Sequence, residues 1–358
     1  FTENLNLQAS QYFIIGSEYI TIDGQNNTVN FTLNNSESKS NTDGLIQNGD
    51  INGFSQSIYG YSNINIKNIG ITNNQNVNLN QTQGWLCQKD FGLGIEDGNI
   101  LIDNCYATGT ITGFQAGGIV GNFLGFEMSG GSITIQNCYT TGAISGVSAG
   151  GIAGQDLGNS MQNGPITIQD CHTTGAITGK DAGGIAGKEL GNSMTGGQII
   201  IQNCYATGAI DSDAPEPAGG IIGGGAGAKN NGSEDGEMLI KDCYTDCTIN
   251  GTNSGGICGQ SAGLYSKSQC IVNTCFSSKN INGLGAGGIV GAKAGSQGGL
   301  CNIERCFTNG TIWGEEAGGI AGRDIGRLFG SSGICNIESC YTTGFIAGLR
   351  AGGIVGLT

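Results

Sequence analysis

The chain has 358 residues and a formal net charge of −14 at pH 7, with 14 Lys and Arg against 28 Asp and Glu. This balance disfavours nucleic acid as a partner, because binding a phosphate backbone requires clustered basic side chains and the few present are scattered. The 69 glycines lack the every-third-residue period of collagen. Ile and Val recur among them in fixed phase, which indicates a folded chain. No run of about 18 apolar residues occurs, so no membrane span is predicted.

Residues 1 to 99 contain strand-like segments without an obvious repeat. Tyr12 to Ile15, Tyr19 to Gly24 and Thr28 to Leu33 are rich in strand-forming residues, and Asn63 to Ile71 alternates apolar and polar side chains. We interpret this region as the irregular starting coils of the structure formed by the rest of the chain. An atypical terminal unit of this kind protects an open sheet edge.

Residues 100 to 358 consist of eight copies of one repeat of about 33 residues. Each copy has a Cys-aromatic pair, and in seven copies a Gly-Gly-Ile begins 12 residues after the Cys. The fourth copy is longer, through an insertion at Asp211 to Pro217. The distance from Gly-Gly to the next Cys varies from 19 to 24 residues. One arc of the repeat is therefore constant and the other carries loops.

Within one copy, Ile133 to Gln136 has the two-residue alternation of a strand with one buried face. Ala143 to Ser145 and Gly151 to Ala153 predict two more short strands, since their glycines disfavour helix. Short strands separated by corners bury their apolar side chains only when coils stack, at about 4.8 Å per coil. Connections between parallel strands are nearly always right-handed. The sequence thus predicts an all-β fold, a right-handed parallel β-helix (solenoid) with about ten or eleven coils and three short strands per coil.

An Asn or Asp precedes each of the first five repeat cysteines. Such residues favour a left-handed backbone, so a corner is predicted there, with the following Cys turned inside. Their side chains are expected to hydrogen-bond from coil to coil, as amide ladders do in stacked β structures. The corner residues are Asn104, Asn137, Asp170, Asn203 and Asp242.

The 14 cysteines are interpreted as small apolar core residues. Cys270, Cys301 and Cys335 stand at the position of Ile133, and Cys258 stands at that of Val120. Disulfides between adjacent coils are the alternative, because the coil spacing falls within the range of bridged Cα atoms. Zinc is disfavoured by the absence of a Cys-x-x-Cys pair. The repeat column itself is Cys105, Cys138, Cys171, Cys204, Cys243, Cys275, Cys306 and Cys340.

The aromatic residue after each of these cysteines should point outward. The resulting column either stabilises the register of the coils by ring stacking, the interpretation we favour, or offers a platform for sugars or a partner protein. Its members are Tyr106, Tyr139, His172, Tyr205, Tyr244, Phe276, Phe307 and Tyr341.

A polysaccharide lyase or hydrolase on this fold would require carboxylates on adjacent coils. In the outward column two residues before Cys only Glu304 and Glu338 are neighbours, and we interpret them as a solvated face. The acidic loop Glu234 to Glu237 suggests calcium, although a mobile loop is the simpler interpretation. No catalytic residue, cofactor or metal site is predicted. Candidate acceptors for N-glycosylation are Asn26, Asn30, Asn34, Asn80, Asn231, Asn250 and Asn309.

Two resemblances follow from these motifs. Cys138 to Gly142 with Gly150 to Gly154 resembles the GLUG repeat of bacterial surface proteins, also found in predicted proteins of giant DNA viruses of amoebae. Ile20 to Asn27 resembles the first coil of pectate-lyase-like β-helices, where a strand ends in Asp-Gly and a turn. The GLUG resemblance implies architecture and no activity. Some GLUG repeats accompany zinc peptidases, but His172 is the only histidine, so a His-Glu-x-x-His site is impossible.

Together these features predict a non-catalytic structural or adhesive protein, extracellular or on the surface of a large virus particle or cell. Its expected partners are other structural proteins or surface glycans, with homo-oligomeric or end-to-end assembly open. The competing hypotheses are a pectate-lyase-like carbohydrate-active enzyme and a glycan-binding module. Because the chain ends at Thr358, just after the eighth Gly-Gly-Ile, further sequence or a partner is expected to cover that end.

Overall fold

A computed structural model describes residues 1–34, 37–49, 60–73, 76–211, 217–227, 236–264, 269–326 and 333–357. Over these ranges the chain is all β, without a helix, and forms a parallel β-solenoid of about nine turns. The predicted fold class is confirmed. The expectation of ten or eleven coils is slightly too high.

The strands of the starting segments are β1 Leu5–Gln8, β2 Phe13–Ile15, β3 Thr21–Thr32, β4 Ser40–Thr42, β5 Ile46–Asn48, β6 Ile64–Asn73 and β7 Val77–Leu79. The strands β1, β3 and β6 belong to the main sheet, whereas β2 pairs with β5 and β4 pairs with β7 in two separate parallel sheets. Ile46 of β5 also forms a parallel bridge to Cys87, which bridges to Val120 of the first regular repeat. The starting segments therefore contribute to more than one side of the solenoid.

The strand β3 differs from the predicted first coil. Instead of ending at Asp23 and Gly24, it continues through to Thr32 and pairs in parallel with β6. The register shifts between Asp23 and Asn27, and Gln25 and Asn26 between them have φ angles of 52° and 64°. The left-handed pair absorbs the extra residues as an irregularity within the strand, so no turn is needed.

Each regular repeat contributes a five-residue strand, a corner and a two-residue strand. Equivalent strands pair in parallel without slippage, so that Ile133 lies opposite Ile100 and Ile166. The strands are β8 Asn99–Asp103, β9 Tyr106–Ala107, β10 Ser132–Gln136, β11 Tyr139–Thr140, β12 Pro165–Gln169, β13 His172–Thr173, β14 Gln198–Gln202, β15 Tyr205–Ala206, β16 Glu237–Lys241, β17 Tyr244–Thr245, β18 Gln269–Asn273, β19 Phe276–Ser277, β20 Leu300–Glu304, β21 Phe307–Thr308, β22 Ile334–Glu338 and β23 Tyr341–Thr342.

The other two strands predicted for each repeat are shorter than expected. Ile144 forms one isolated bridge to each neighbouring coil, and Gly150 and Ala153 do the same on the third side. Because the corners there are rich in glycine, only single residues form backbone bridges to the neighbouring coils. The second true strand is the Tyr139–Thr140 type, directly after the Cys, which the sequence analysis did not identify.

The corner before each Cys is left-handed, as predicted. Asn104, Asn137, Asp170, Asn203 and Asp242 have φ angles between 51° and 55°. The same conformation recurs where neither Asn nor Asp is present. These residues are Thr274, Arg305 and Ser339, with φ angles of 53°, 52° and 53°. Closure of the coil therefore imposes the left-handed corner. An Asn or Asp at this position only lowers the free-energy cost of the left-handed backbone conformation.

The core is one continuous column of inward-facing side chains. Ile133, Ile135, Cys138, Ile144 and Ile152 are fully buried, and their equivalents in neighbouring coils pack above and below them. The apolar side chains of one coil can be buried only against those of the neighbouring coils. The hydrophobic stabilisation therefore comes from the stacking of coils.

Candidate functional site

The repeat cysteines point into the core. All 14 cysteines are free thiols; Cys335 and Cys340 are half-buried and the others are buried. The thiols of Cys138 and Cys171 donate weak hydrogen bonds of 3.1 Å to the carbonyls of Gln136 and Gln169. Burial raises the pKa of Cys171 well above its ordinary value, which keeps this thiol neutral. This environment fits the role of core residue.

The additional cysteines occupy the predicted core positions. Cys270, Cys301 and Cys335 lie opposite one another on β18, β20 and β22, in the column that begins with Ile133 and its equivalents. Cys258 pairs with Val290 in the Val120 column. Among the residues that the structure describes, no group of three or more His, Cys, Asp and Glu side chains is arranged to hold a metal ion.

The aromatic residues form an uninterrupted stack along the surface, which we call the aromatic ladder. Its seven successive ring pairs have centroid separations from 4.6 to 5.3 Å and interplanar angles of 10° or less. The ladder begins at Tyr106, which lies over Gly70, where an added Cβ would be 2.3 Å from Cζ of the tyrosine. The Tyr106 hydroxyl lies 3.1 Å from Oγ1 of Thr28.

The faces of the ladder rings are covered by neighbouring rings. His172 stacks between Tyr139 and Tyr205, and burial lowers its pKa, which favours the neutral imidazole. A sugar stacks on the face of an aromatic ring, and inside the ladder both faces are occupied. The geometry therefore favours the register-holding interpretation over a ligand platform.

Amide side chains form a second ladder beside the first. Gln169 Nε2 donates to Gln136 Oε1 at 3.0 Å, and Gln202 Nε2 donates to Gln169 Oε1 at 2.8 Å. The column predicted for this role, at the corner, is less continuous. Asn203 donates to Asp170 at 3.2 Å, but Asn137 turns to Asp103 of the adjacent column at 2.8 Å.

The candidate carboxylate pair lies on the same outward face. Glu304 and Glu338 are opposite each other on β20 and β22. Glu304 accepts a hydrogen bond of 3.0 Å from Asn273 and lies 3.7 Å from the Arg305 guanidinium. Glu304 is therefore part of a surface network of polar side chains.

Several loop predictions fall partly outside the described residues. This applies to Glu234 and Asp235 of the acidic loop, to residues 212–216 of the insertion and to the sequon at Asn231. Glu237 begins β16 and accepts a hydrogen bond of 3.0 Å from Gln198. The other candidate glycosylation acceptors lie at the surface, either exposed or half-buried: Asn26, Asn30, Asn34, Asn80, Asn250 and Asn309.

A cluster of charges on the third side of the solenoid was not predicted from the sequence. Asp156 is only 5% exposed, and burial raises its pKa to about 6. The Gln155 amide donates to the Asp156 carboxylate at 2.8 Å and lies 3.4 Å from Glu189 of the next coil. Lys188 Nζ lies 3.2 Å from the Asp181 carboxylate and 3.4 Å from that of Glu189.

A sequence signal for this cluster was present. Asp156 and Glu189 both stand two residues after the last Gly of a Gly-Gly-Ile-Ala-Gly segment, so the repeat alignment places them on adjacent coils. Two carboxylates and a lysine are the groups that acid-base catalysis would require. Here, however, the Asp156 carboxylate is enclosed by amides, with Asn159 Nδ2 3.4 Å from its second oxygen.

Comparison of the chain with protein families, with curated proteins and with solved structures finds no match. The described part of the chain contains no helix with the length and apolar character needed to cross a membrane.

Proposed function

We propose that this protein is a non-catalytic structural or adhesive rod of the GLUG-repeat type, displayed on the exterior of a large virus particle or cell, where it mediates assembly or attachment. The observation that carries the proposal is the aromatic ladder. It continues through all eight repeats without a gap, with ring centroids 4.6 to 5.3 Å apart, although it lies at the surface, where a catalytic centre would interrupt the repeat.

The interior supports the same role. Each coil presents buried residues in register with those of both neighbours, and the left-handed corner recurs in every regular coil. Such uniform stacking makes the solenoid rigid. The function of a rigid rod depends on the surface groups that it presents and on the particle or cell to which it is attached.

The cluster around Asp156 gives the competing hypothesis, a carbohydrate-active enzyme, a specific candidate centre. It combines two carboxylates and a lysine on adjacent coils, with one carboxyl pKa near the range useful for proton transfer. Its enclosure argues for a structural network, because a sugar must reach the reacting oxygens.

Two measurements test the proposal. An antibody to the chain should label intact source particles or cells; label that appears only after permeabilisation would contradict surface display. Incubation with neutral and acidic polysaccharides should release no reducing ends or unsaturated sugars. Turnover that is lost in Asp156→Asn or Glu189→Gln, but kept in Glu338→Gln, would replace the rod by an enzyme.

A further inference from the structure

A polar groove of about 910 Å³ lies where the starting coils meet the first two regular repeats. Its floor consists of outward-facing residues of adjacent coils. Phe114 and Val147 are 43% and 38% exposed, and Thr112 and Ser145 lie beside them with exposed side chains. The groove thus combines an accessible ring with hydroxyl groups at the spacing of the coils.

The wall of the groove comes from the ends of β4 and β7. Asn80 Nδ2 donates to the Asp43 carboxylate at 2.8 Å, which fixes both side chains. The backbone N–H of Asn80 donates to the Thr42 carbonyl at 2.9 Å, which joins the two segments. Asn41, Asn78 and Gln81 add three more amides to the same wall.

The wall is attached directly to the floor. The backbone N–H of Thr82 donates to the Phe114 carbonyl at 2.7 Å. Gly113 permits this approach, since an added Cβ would be 2.5 Å from the Asn80 carbonyl oxygen. The groove is therefore held open by backbone contacts, and a ligand would find it already formed.

Phe114 differs from the residues of the aromatic ladder in having an available ring. Its ring stacks on no other aromatic ring in the part of the chain that the structure describes. An exposed ring offers a surface for the C–H face of a pyranose. Amides both donate to and accept from hydroxyl groups, and a carboxylate accepts from them. The groove volume lies within the range of small-molecule sites.

The charge of the groove indicates which class of polysaccharide it can bind. Its ionisable lining group is Asp43, and the whole chain carries −14. An acidic polysaccharide would be repelled, whereas an uncharged one would not. We propose that this groove binds a neutral oligosaccharide, with Phe114 stacking on one sugar ring and Asp43 with Asn80 bonding its hydroxyl groups. The inference rests on the attachment role proposed above and specifies a glycan as the partner.

Binding of hexasaccharides provides the test. The full chain, produced in bacteria so that Asn80 remains unmodified, is titrated calorimetrically with cellohexaose, mannohexaose, xylohexaose and chitohexaose, and with hexagalacturonate as the acidic comparison. At least one neutral hexasaccharide should bind, and hexagalacturonate should bind at least tenfold more weakly. Phe114→Ala and Asp43→Asn should each weaken the neutral interaction at least tenfold.

Phe345→Ala is the matched control, because Phe345 is 71% exposed and lies in the last coil, far along the chain from the groove. It should leave the affinity unchanged, and the melting temperatures of all variants should match that of the parent chain. Absence of binding by every neutral hexasaccharide, or equal affinity of the Phe114→Ala chain, would overturn the inference. Neither outcome would affect the surface-display test of the rod.

Discussion

Asp156 shows how a single position can depart from the repeat that contains it. Its φ angle of 58° matches that of 56° at Asp324, which occupies the same repeat position. The Asp156 residue is 5% exposed, whereas the Asp324 side chain is 41% exposed. The backbone is thus the same at both positions, and the exposure of the carboxylate differs.

Asp156→Asn should stabilise the protein at neutral pH. The pKa rises from 3.8 to about 6 on folding, so the folded state binds the proton more tightly. The stability contributed by the protonated carboxyl is full below pH 3.8 and is lost as the pH rises through about 6. Asparagine is uncharged at every pH and therefore avoids that loss. We expect the free energy of unfolding to rise by about 1 to 3 kcal/mol at pH 7.5.

Urea unfolding at pH 7.5 and pH 4 measures this effect. The gain from Asp156→Asn should be present at pH 7.5 and should shrink at pH 4, where the native carboxyl is already protonated in the folded state. Asp324→Asn is the control and should show no comparable gain. An equal change in the free energy of unfolding for both variants at both pH values would indicate that burial does not destabilise the ionised carboxylate of Asp156.

At the scale of the elements, prediction succeeded where the repeat itself carries the information. The alternation in Ile133 to Gln136 predicted the long strand, since residues two apart in a strand share a face. The residues directly before and after each repeat Cys predicted the corner and the ladder. It missed the Tyr139–Thr140 strand because two residues are too few to show a period. It overestimated Ala143 to Ser145, where flanking glycines allow only a bridge at Ile144.

The candidate functional surfaces also differ in how far the sequence predicted them. The aromatic ladder was predictable because every repeat contributes one member. The groove was not, since Asp43 and Asn80 come from the non-repeating start of the chain and reach Phe114 only through tertiary pairing. The charge cluster is intermediate, because its positions align in the repeat but the exposure of equivalent carboxylates differs from coil to coil.

Gly150→Ala should abolish or severely weaken folding. An added Cβ would lie 1.9 Å from the Ala153 carbonyl oxygen and 2.6 Å from the Gly187 amide nitrogen. Both are backbone atoms, the first in the same coil and the second in the next coil, so no change of rotamer relieves the clash. We expect a loss of about 3 kcal/mol or more in the free energy of unfolding, or no soluble folded protein.

Gly16→Ala provides the contrast, because an added Cβ there has no neighbour within 4 Å. Its unfolding free energy should stay within about 0.5 kcal/mol of that of the parent chain. Similar midpoints for both variants in thermal unfolding would contradict the close coil stacking inferred at the Gly-Gly motif.

For the whole molecule, the thiols report how the solenoid comes apart. With the exception of Cys335 and Cys340, the cysteines are buried in a single core that runs the length of the coils. A thiol reagent added to the native chain should therefore modify those two first. The unfolded chain should release all 14 as reactive thiols; fewer would indicate disulfides between coils.

The order of labelling in mild denaturant distinguishes two modes of unfolding. Because each coil contacts only its neighbours, stability is a sum of nearest-neighbour terms and end coils have fewer of them. Mass spectrometry should then show Cys306 modified faster than Cys171, which has buried coils on both sides. Uniform rates at both positions would mean that the stacked ladders couple the coils so strongly that the rod opens as one unit.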